Sequence, residues 1–242
     1  MKILVFIPTF NEAENIVPLI EQILADDPQL EILVVDDDSP DGTGKLVEKN
    51  FSRERRVSLV TRREKRGRGL AGLLGFQEAC RREADVLLEM DADFSHSPEF
   101  IPRLLAEIDT TDLVIGSRFI KGGQDKERGL LRGFISYFAR IFISALLGVR
   151  VKDPTSGFRA FRGPVLEHIL PHLRAEDPFI IAESLYWVNR HGFSIKEIPI
   201  YFYNRRKGKS KLNFKILFTY LMKTYKLNRA GKRINLDKTQ AK

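Results

Sequence analysis

The chain has 242 residues, 43% of them apolar, enough for one sizeable globular domain and too apolar for a disordered chain. Its one cysteine, Cys80, excludes a disulfide framework and a cysteine-based zinc site, and fits a reducing compartment. Lys and Arg outnumber Asp and Glu by 40 to 32, and the formal charge of +8 favours anionic partners such as nucleic acid, lipid headgroups or phosphorylated substrates.

Ile3 to Ile7 is a β-rich apolar run closed by Pro8, the pattern of a buried parallel strand and not of a signal peptide. Asn11 to Leu24 follows with Ile16, Leu19, Ile20 and Ile23 at helical spacing, with Asn11 as its expected cap. Ile32 to Val35 predicts a second strand, ending in Asp36, Asp37 and Asp38. Thr43 to Asn50 predicts a helix, Val57 to Val60 a strand, Gly69 to Arg82 a helix that holds Cys80 as a small packed residue. Val86 to Met90 predicts a fourth strand that again ends in carboxylates, before a helix over Pro98 to Ile108 and a strand over Leu113 to Ile115. The alternation predicts an α/β fold around a mainly parallel sheet, in which ligands bind beyond the carboxyl ends of the strands.

The second half reads differently. Phe134 to Val149 is rich in apolar residues but holds Arg140 and is too short to span a bilayer; no run of about 18 uninterrupted apolar residues occurs. Asp153 to Phe161 reads as a turn-rich connection, Glu183 to Arg190 as a helix, Ile195 to Tyr201 as a strand. Arg205 to Lys211 is a basic loop, and Asn213 to Asn228 a basic amphipathic helix. Two stripes stand out: Leu130, Leu131, Phe134, Ile135, Phe138, Ile141 and Phe142, and then Phe214, Leu217, Phe218, Leu221 and Tyr225. Each is either ordinary core or a face that lies in a membrane interface beside basic side chains.

Three strand ends carry the unusual chemistry. Asp91 and Asp93 leave the fourth strand one residue apart and can converge on one hard cation that bridges to phosphate; the same residues also read as a turn before the next helix. The Asp36 to Thr43 segment is either a solvated turn or a place where a carboxylate holds a ribose. Arg66-Gly67-Arg68-Gly69 is a weak candidate phosphate cradle ahead of a helix. Arg118 follows the fifth strand on the same edge as these carboxylates, and Arg132 and Ser136 stand four apart, on one helix face. The four histidines are scattered and suit capping or surface roles.

Taken in order, Pro8-Thr9-Phe10-Asn11-Glu12, Asp36 to Thr43, Met90-Asp91-Ala92-Asp93-Phe94-Ser95-His96, Gly116-Ser117-Arg118, Arg132 with Ser136, Asp153 to Arg159 and Arg205 to Lys211 resemble a family-2 glycosyltransferase of the dolichol-phosphate mannosyltransferase group. The resemblance implies a GT-A nucleotide-diphospho-sugar transferase fold over residues 1–228. It implies a nucleotide-sugar half over 1–118, an acceptor and membrane-facing half over 119–228, C-terminal amphipathic helices, and a polar tail over 229–242. It implies inverting transfer of mannose from GDP-mannose to a dolichyl or polyprenyl phosphate. Pro8, Phe10, Glu12, Val35, Asp37, Asp91, Ala92, Asp93, Arg205 and Lys211 would hold the donor. Arg118, Arg132 and Ser136 would hold the acceptor phosphate, with Asp93, Arg118 and Arg132 as the catalytic set. Asp91, Asp93 and Ser95 would hold Mg²⁺ or Mn²⁺, with Ser95 standing where some relatives place Gln. Some relatives carry C-terminal membrane helices that this sequence lacks, so the resemblance places the enzyme at the cytoplasmic face of a membrane through amphipathic segments or an anchoring partner subunit.

The charges alone support part of this. A lipid monophosphate is largely dianionic at neutral pH, its second pKa being about 6, and needs no general base. Arginine forks suit the task of gathering two polyanions, and a divalent cation that of stabilising the departing diphosphate. Use of UDP-glucose or UDP-N-acetylglucosamine instead stays open. A nucleic-acid-binding module is disfavoured because acidic clusters at strand ends repel phosphate, and an inactive scaffold because Asp91, Asp93 and Arg118 are all present.

Overall fold

The computed structural model describes residues 1–125, 140–203 and 219–229. In chain order the elements are β1 (Ile3–Thr9), α1 (Ile16–Asp26), β2 (Leu30–Asp36), α2 (Thr43–Phe51), β3 (Val57–Thr61), α3 (Arg68–Arg81), β4 (Val86–Glu89), α4 (Ile101–Ile108), β5 (Leu113–Ser117) and β6 (Gln124–Asp125). Then come α5 (140–147), β7 (Arg159–Arg162), α6 (Gly163–Ile169), α7 (Ile180–Arg190), β8 (Ile195–Pro199), β9 (Tyr201–Phe202) and α8 (219–229).

Seven strands form one sheet in the order β3-β2-β1-β4-β7-β5-β8, and β6 pairs with β9 in a small second sheet. All neighbours in the large sheet are parallel except β7, which runs against both β4 and β5. The central strands are apolar on both faces because helices cover both. Leu4, Phe6, Leu33, Val35 and Leu87 face α3, α6 and α7, while Ile3, Val5, Ile7, Ile32, Val34 and Leu88 face α1 and α4. Contact on the first face is close enough to require glycine. A Cβ on Gly75 of α3 would lie 2.7 Å from the Phe6 ring.

The strand order reverses at β1 and β4, where β2 lies to one side and β7 to the other, so the crevice of such sheets opens beyond these carboxyl ends. The antiparallel direction of β7 brings its first residues, and the 153–158 turn before it, to that same edge.

Three expectations change. The Asp153 to Phe161 connection already contains the start of β7, a central strand, and α6 follows it. The first helix begins at Ile16, not Asn11; Asn11 sits at φ +63° with its N–H donated to Ser39 Oγ at 3.0 Å, so it is part of a turn and not a cap. The Ile195 to Tyr201 strand is split into β8 and β9 at Ile200, whose N–H bonds to the Ser117 carbonyl. The expected Asn213 to Asn228 helix is present as α8 from residue 219; its earlier residues, like Leu130 to Phe138 of the first apolar stripe, lie outside the described residues.

Candidate active site

The register of β1 against β2 pairs Pro8 with Val35 and Thr9 with Asp36, so the expected base- and ribose-facing residues share one strip of the carboxyl edge. The three adjacent carboxylates avoid mutual repulsion by turning to different partners. Asp36 is buried and accepts hydrogen bonds from the Thr9 and Ser39 hydroxyls at 2.8 and 2.6 Å and from the Ser39 N–H at 2.9 Å. Asp37, also buried, pairs with Arg62 and accepts the Gly67 N–H at 2.8 Å. Asp38 lies at φ +50° on the surface beside Arg66. Asp41 accepts the N–H and hydroxyl of Thr43 at the start of α2. Phe10 is 39% exposed, with the Arg66 guanidinium 5.4 Å from its ring centroid. Glu12 is held by its backbone N–H to Thr43 Oγ1 and by its carboxylate to Asn15.

The Arg66 to Gly69 segment is not the phosphate cradle its composition suggests. The Gly67 N–H points to Asp37 and the Gly69 N–H to the Glu176 carbonyl, so protein oxygens take both donors. Arg68 instead reaches the carboxyl end of β4. Its Nη2 donates to Glu89 Oε1 at 2.6 Å and lies 3.9 Å from Asp91 Oδ1.

Asp91, Ala92, Asp93 and Ser95 form one tight turn after β4. Asp93 is 3% exposed, and its Oδ1 accepts both the N–H and the hydroxyl of Ser95, at 3.1 and 2.5 Å. Ser95 thus spends its proton on Asp93 and helps to aim that carboxylate. The Asp91 carboxylate is the more open of the two, with 39% of its side chain exposed. Of the capping or surface roles expected for the histidines, buried His96 takes a turn-capping one. Its Nδ1 accepts the Asp91 N–H at 3.1 Å, which requires the neutral ring in that tautomer, and burial pulls its pKa below the ordinary imidazole value. The ring stacks on Phe158, centroids 5.1 Å apart, so the 153–158 turn directly supports the Asp91 turn. The oxygen-only donor set, with one exposed and one buried carboxylate, suits a hard divalent cation that completes its shell with substrate phosphate and water. Among the described residues no group of three or more His, Cys, Asp or Glu side chains could hold a metal unaided.

Arg118 stands at the end of β5, on the same edge. Its Nε and Nη2 each donate to Asp153, both at 2.7 Å; its backbone N–H also reaches Asp153, and Nη2 reaches Thr155 Oγ1 at 3.2 Å. The guanidinium lies over the rings of Phe119 and Phe202, 5.0 and 4.9 Å from their centroids. Phe202 also meets the edge of His96, 5.6 Å between centroids, so one ring touches both the Asp91 turn and Arg118. Burial pushes the Asp153 pKa up, but the charge and hydrogen bonds of Arg118 outweigh it and hold the carboxyl below its ordinary value. Arg159, fully buried, ties the 153–158 turn to α7 by donating to the carbonyls of Pro154, Ser156 and Ile181.

The structure therefore gathers Pro8, Phe10, Glu12, Val35, Asp37, Asp91, Ala92, Asp93, Ser95 and Arg118 along one sheet edge. Arg132, Ser136, Arg205 and Lys211 lie outside the described residues. Arg62, Glu89, His96 and Asp153 were not singled out by role, and Arg68 was read only as part of a phosphate cradle; Arg62, Arg68, Glu89 and Asp153 act through partners remote in sequence, His96 through Asp91 five residues back. An open hollow of about 530 Å³ occurs at the opposite edge of the sheet, lined by Glu83, Asp85, Asp109 and Arg162 among others, and has none of this chemistry.

The glycosyl transferase family 2 profile matches residues 4–170. The chain is 43% identical over 215 residues to the polyprenol monophosphomannose synthase of Mycolicibacterium smegmatis, covering 87% of this chain and 80% of that protein. The chain belongs to glycosyl transferase family 2. As a family 2 glycosyltransferase it is also 37% identical over 214 residues to the undecaprenyl-phosphate mannosyltransferase of Micrococcus luteus, covering 88% of each chain. Among solved structures, glucosyl-3-phosphoglycerate synthase from Mycobacterium tuberculosis, determined with Mn²⁺, UDP-glucose and phosphoglyceric acid, matches with a TM-score of 0.69. It is 21% identical, over 95% of this chain and 79% of that one. That likeness establishes the GT-A glycosyltransferase fold expected for this family 2 enzyme.

Proposed function

We propose that this glycosyltransferase moves mannose from GDP-mannose to a dolichyl or polyprenyl phosphate, inverting the anomeric carbon. The observation that carries the reading is the placement of Arg118 on the same edge as Asp91 and Asp93 in a chain that shares 43% and 37% identity with proteins named for mannose transfer to polyprenols. Residues 1–118 serve the donor, and residues 119–228 the acceptor and the membrane surface.

Phe10, Pro8, Glu12, Val35 and Asp37 line the base and ribose end. Asp91, Ala92 and Asp93 face the diphosphate; Asp91 and Asp93 would hold Mg²⁺ or Mn²⁺, with the Ser95 hydroxyl orienting Asp93. A bound divalent cation would supply positive charge to the departing diphosphate. Arg118, with Arg132 and Ser136, holds the acceptor phosphate. A phosphate oxygen of the dianion attacks the anomeric carbon, the bond to GDP breaks on the opposite side, and no proton has to be removed. Arg205 and Lys211 add positive charge over the leaving group. The residues' task is to hold two polyanions together in line, which is where most of the rate arises.

The acceptor's lipid places the enzyme at a bilayer, and we assign it to the cytoplasmic face, as a peripheral protein or one held by an anchoring subunit. Ile141 and Phe142 on α5, and Met222 and Tyr225 on α8, are 40–50% exposed. The two helices touch through Asn228, whose amide donates to the Leu146 carbonyl. Among the described residues no helix is long and apolar enough to cross a membrane.

The test is incubation of the purified chain with a short polyprenyl phosphate, Mn²⁺ or Mg²⁺, and radiolabelled GDP-mannose, UDP-glucose or UDP-N-acetylglucosamine in parallel. Lipid-extractable label from GDP-mannose is expected. Label from a UDP-sugar alone would reassign the donor, and label in none of the three would remove the reading.

A further inference from the structure

The pairing of Arg118 with Asp153 is more elaborate than a phosphate-binding arginine requires. Asp153 is 0% exposed and takes three donors from Arg118: the backbone N–H, Nε and Nη2. Asp153 is itself fixed from behind. Glu197 on β8 accepts the Lys152 N–H on one carboxylate oxygen and the Asp153 N–H on the other, both at 2.9 Å. β8 is the edge strand bonded to β5, so Arg118 and the carboxylate that fixes its partner ride on adjacent, hydrogen-bonded strands. The nearby rings of Phe119 and Phe202 further restrict the guanidinium. Nη1 is the one guanidinium nitrogen of Arg118 without a hydrogen bond among the described residues.

Stability alone gives little reason for this arrangement. A buried ion pair roughly breaks even against an apolar pair of the same volume, because desolvation offsets the attraction. What the arrangement does achieve is direction. A free arginine has four side-chain torsions; this one has a single orientation, with one nitrogen, Nη1, and its two N–H groups left over.

On the functional reading given above, we infer that Asp153, held in turn by Glu197, is a positioning residue that locks Arg118 so that Nη1 alone is presented to the acceptor phosphate. The sequence suggested a bidentate arginine grip on that phosphate. Here the fork is spent on Asp153, and the contact to phosphate is end-on. The locked side chain pays its ordering entropy on folding and not on lipid binding.

The test is equilibrium binding of a short polyprenyl phosphate to the full chain by calorimetry, with GDP-mannose and Mn²⁺ titrated separately, for the wild type, Asp153→Asn, Arg118→Ala and the double variant. Asp153→Asn is expected to weaken polyprenyl phosphate binding about tenfold or more, the scale of a lost charge-assisted contact, while donor affinity stays within about twofold. The double variant should bind no more weakly than Arg118→Ala alone, because Asp153 acts only through Arg118. Glu197→Gln, which keeps one acceptor oxygen, should show a smaller loss in the same direction; it carries the test if Asp153→Asn does not fold. Wild-type acceptor affinity in Asp153→Asn, losses that multiply in the double variant, or an equal loss of donor affinity would each overturn the inference. A wild type that binds the lipid phosphate but transfers no mannose sinks the functional reading alone, and one that binds no lipid phosphate sinks both.

Discussion

Arg68, the first residue of α3, donates to Glu89, the last residue of β4, at 2.6 Å. The Glu89 side chain is 3% exposed, and across the sheet its register partner is Arg159. Arg68→Ala leaves that carboxylate without its direct hydrogen bond. The expected loss is about 3 kcal/mol in urea unfolding, the lower end for breaking a buried pair because Arg159 remains near. Adding Glu89→Gln to Arg68→Ala should recover part of it. A loss under about 0.5 kcal/mol would show that the pair matters only to the site.

Asp93→Ala removes the carboxylate that Ser95 aims and should lower transfer at least about a hundredfold, with a melting temperature close to wild type. Thorough chelation of the wild type should have the same effect, reversed by added Mn²⁺ or Mg²⁺. Undiminished transfer after chelation would remove the divalent cation from the reaction.

Glu183 on α7 is buried and accepts the N–H groups of Arg174 and Ala175 at 2.9 and 2.7 Å. Burial raises its pKa above the ordinary value despite those bonds. The folded state therefore holds the proton more tightly than the unfolded state, and stability falls as pH rises from the ordinary glutamate value through the raised one. Glu183→Gln, which keeps an acceptor oxygen and has no charge to bury, should melt higher than wild type at pH 7. The advantage should shrink towards pH 4.5 in melts across pH 4.5–8. An advantage that does not change with pH would contradict the assignment.

Phe142→Ser and Met222→Ser target exposed apolar groups on two touching helices. Each should weaken sedimentation with anionic phospholipid vesicles about tenfold, the scale of exposing one large apolar side chain, and leave the melting temperature unchanged. Unaltered vesicle binding in the double variant would move the membrane contact elsewhere.

Arg132→Ala should raise the polyprenyl phosphate KM far more than the GDP-mannose KM. A rise confined to the donor would move Arg132 out of the acceptor site.

The strands whose ends build the site were legible because each is a short apolar run cut off by carboxylates or proline, so the fold class and the site edge follow from one pattern. β7 was not legible. It is four residues long with arginine at both ends, and the Pro, Ser and Gly before it mark a turn. Asp91 and Asp93 were found from their spacing and Arg118 from its place after a strand. The Arg118–Asp153 pair spans 35 residues, and no periodicity reports such a contact. The three aspartates at the end of β2 looked alike in sequence; only the fold separates one that braces a turn from one that pairs with Arg62 and one exposed beside Arg66. His96 hides for a related reason, since a lone histidine gives no sign that its ring will close a turn five residues back.

Among the described residues β5 reaches β4 and the strands beyond it only through β7. A fragment ending after Arg118 would keep its donor carboxylates but strand β5 with no neighbour to bond, and would not be a smaller enzyme. For the same reason, exchanging the C-terminal half with that of a relative in order to alter acceptor choice would also replace an interior strand. A chimera joined within the Gly122–Gly123 turn would draw β5 and β7 from different parents, so the junction belongs outside the stretch from β5 to β7.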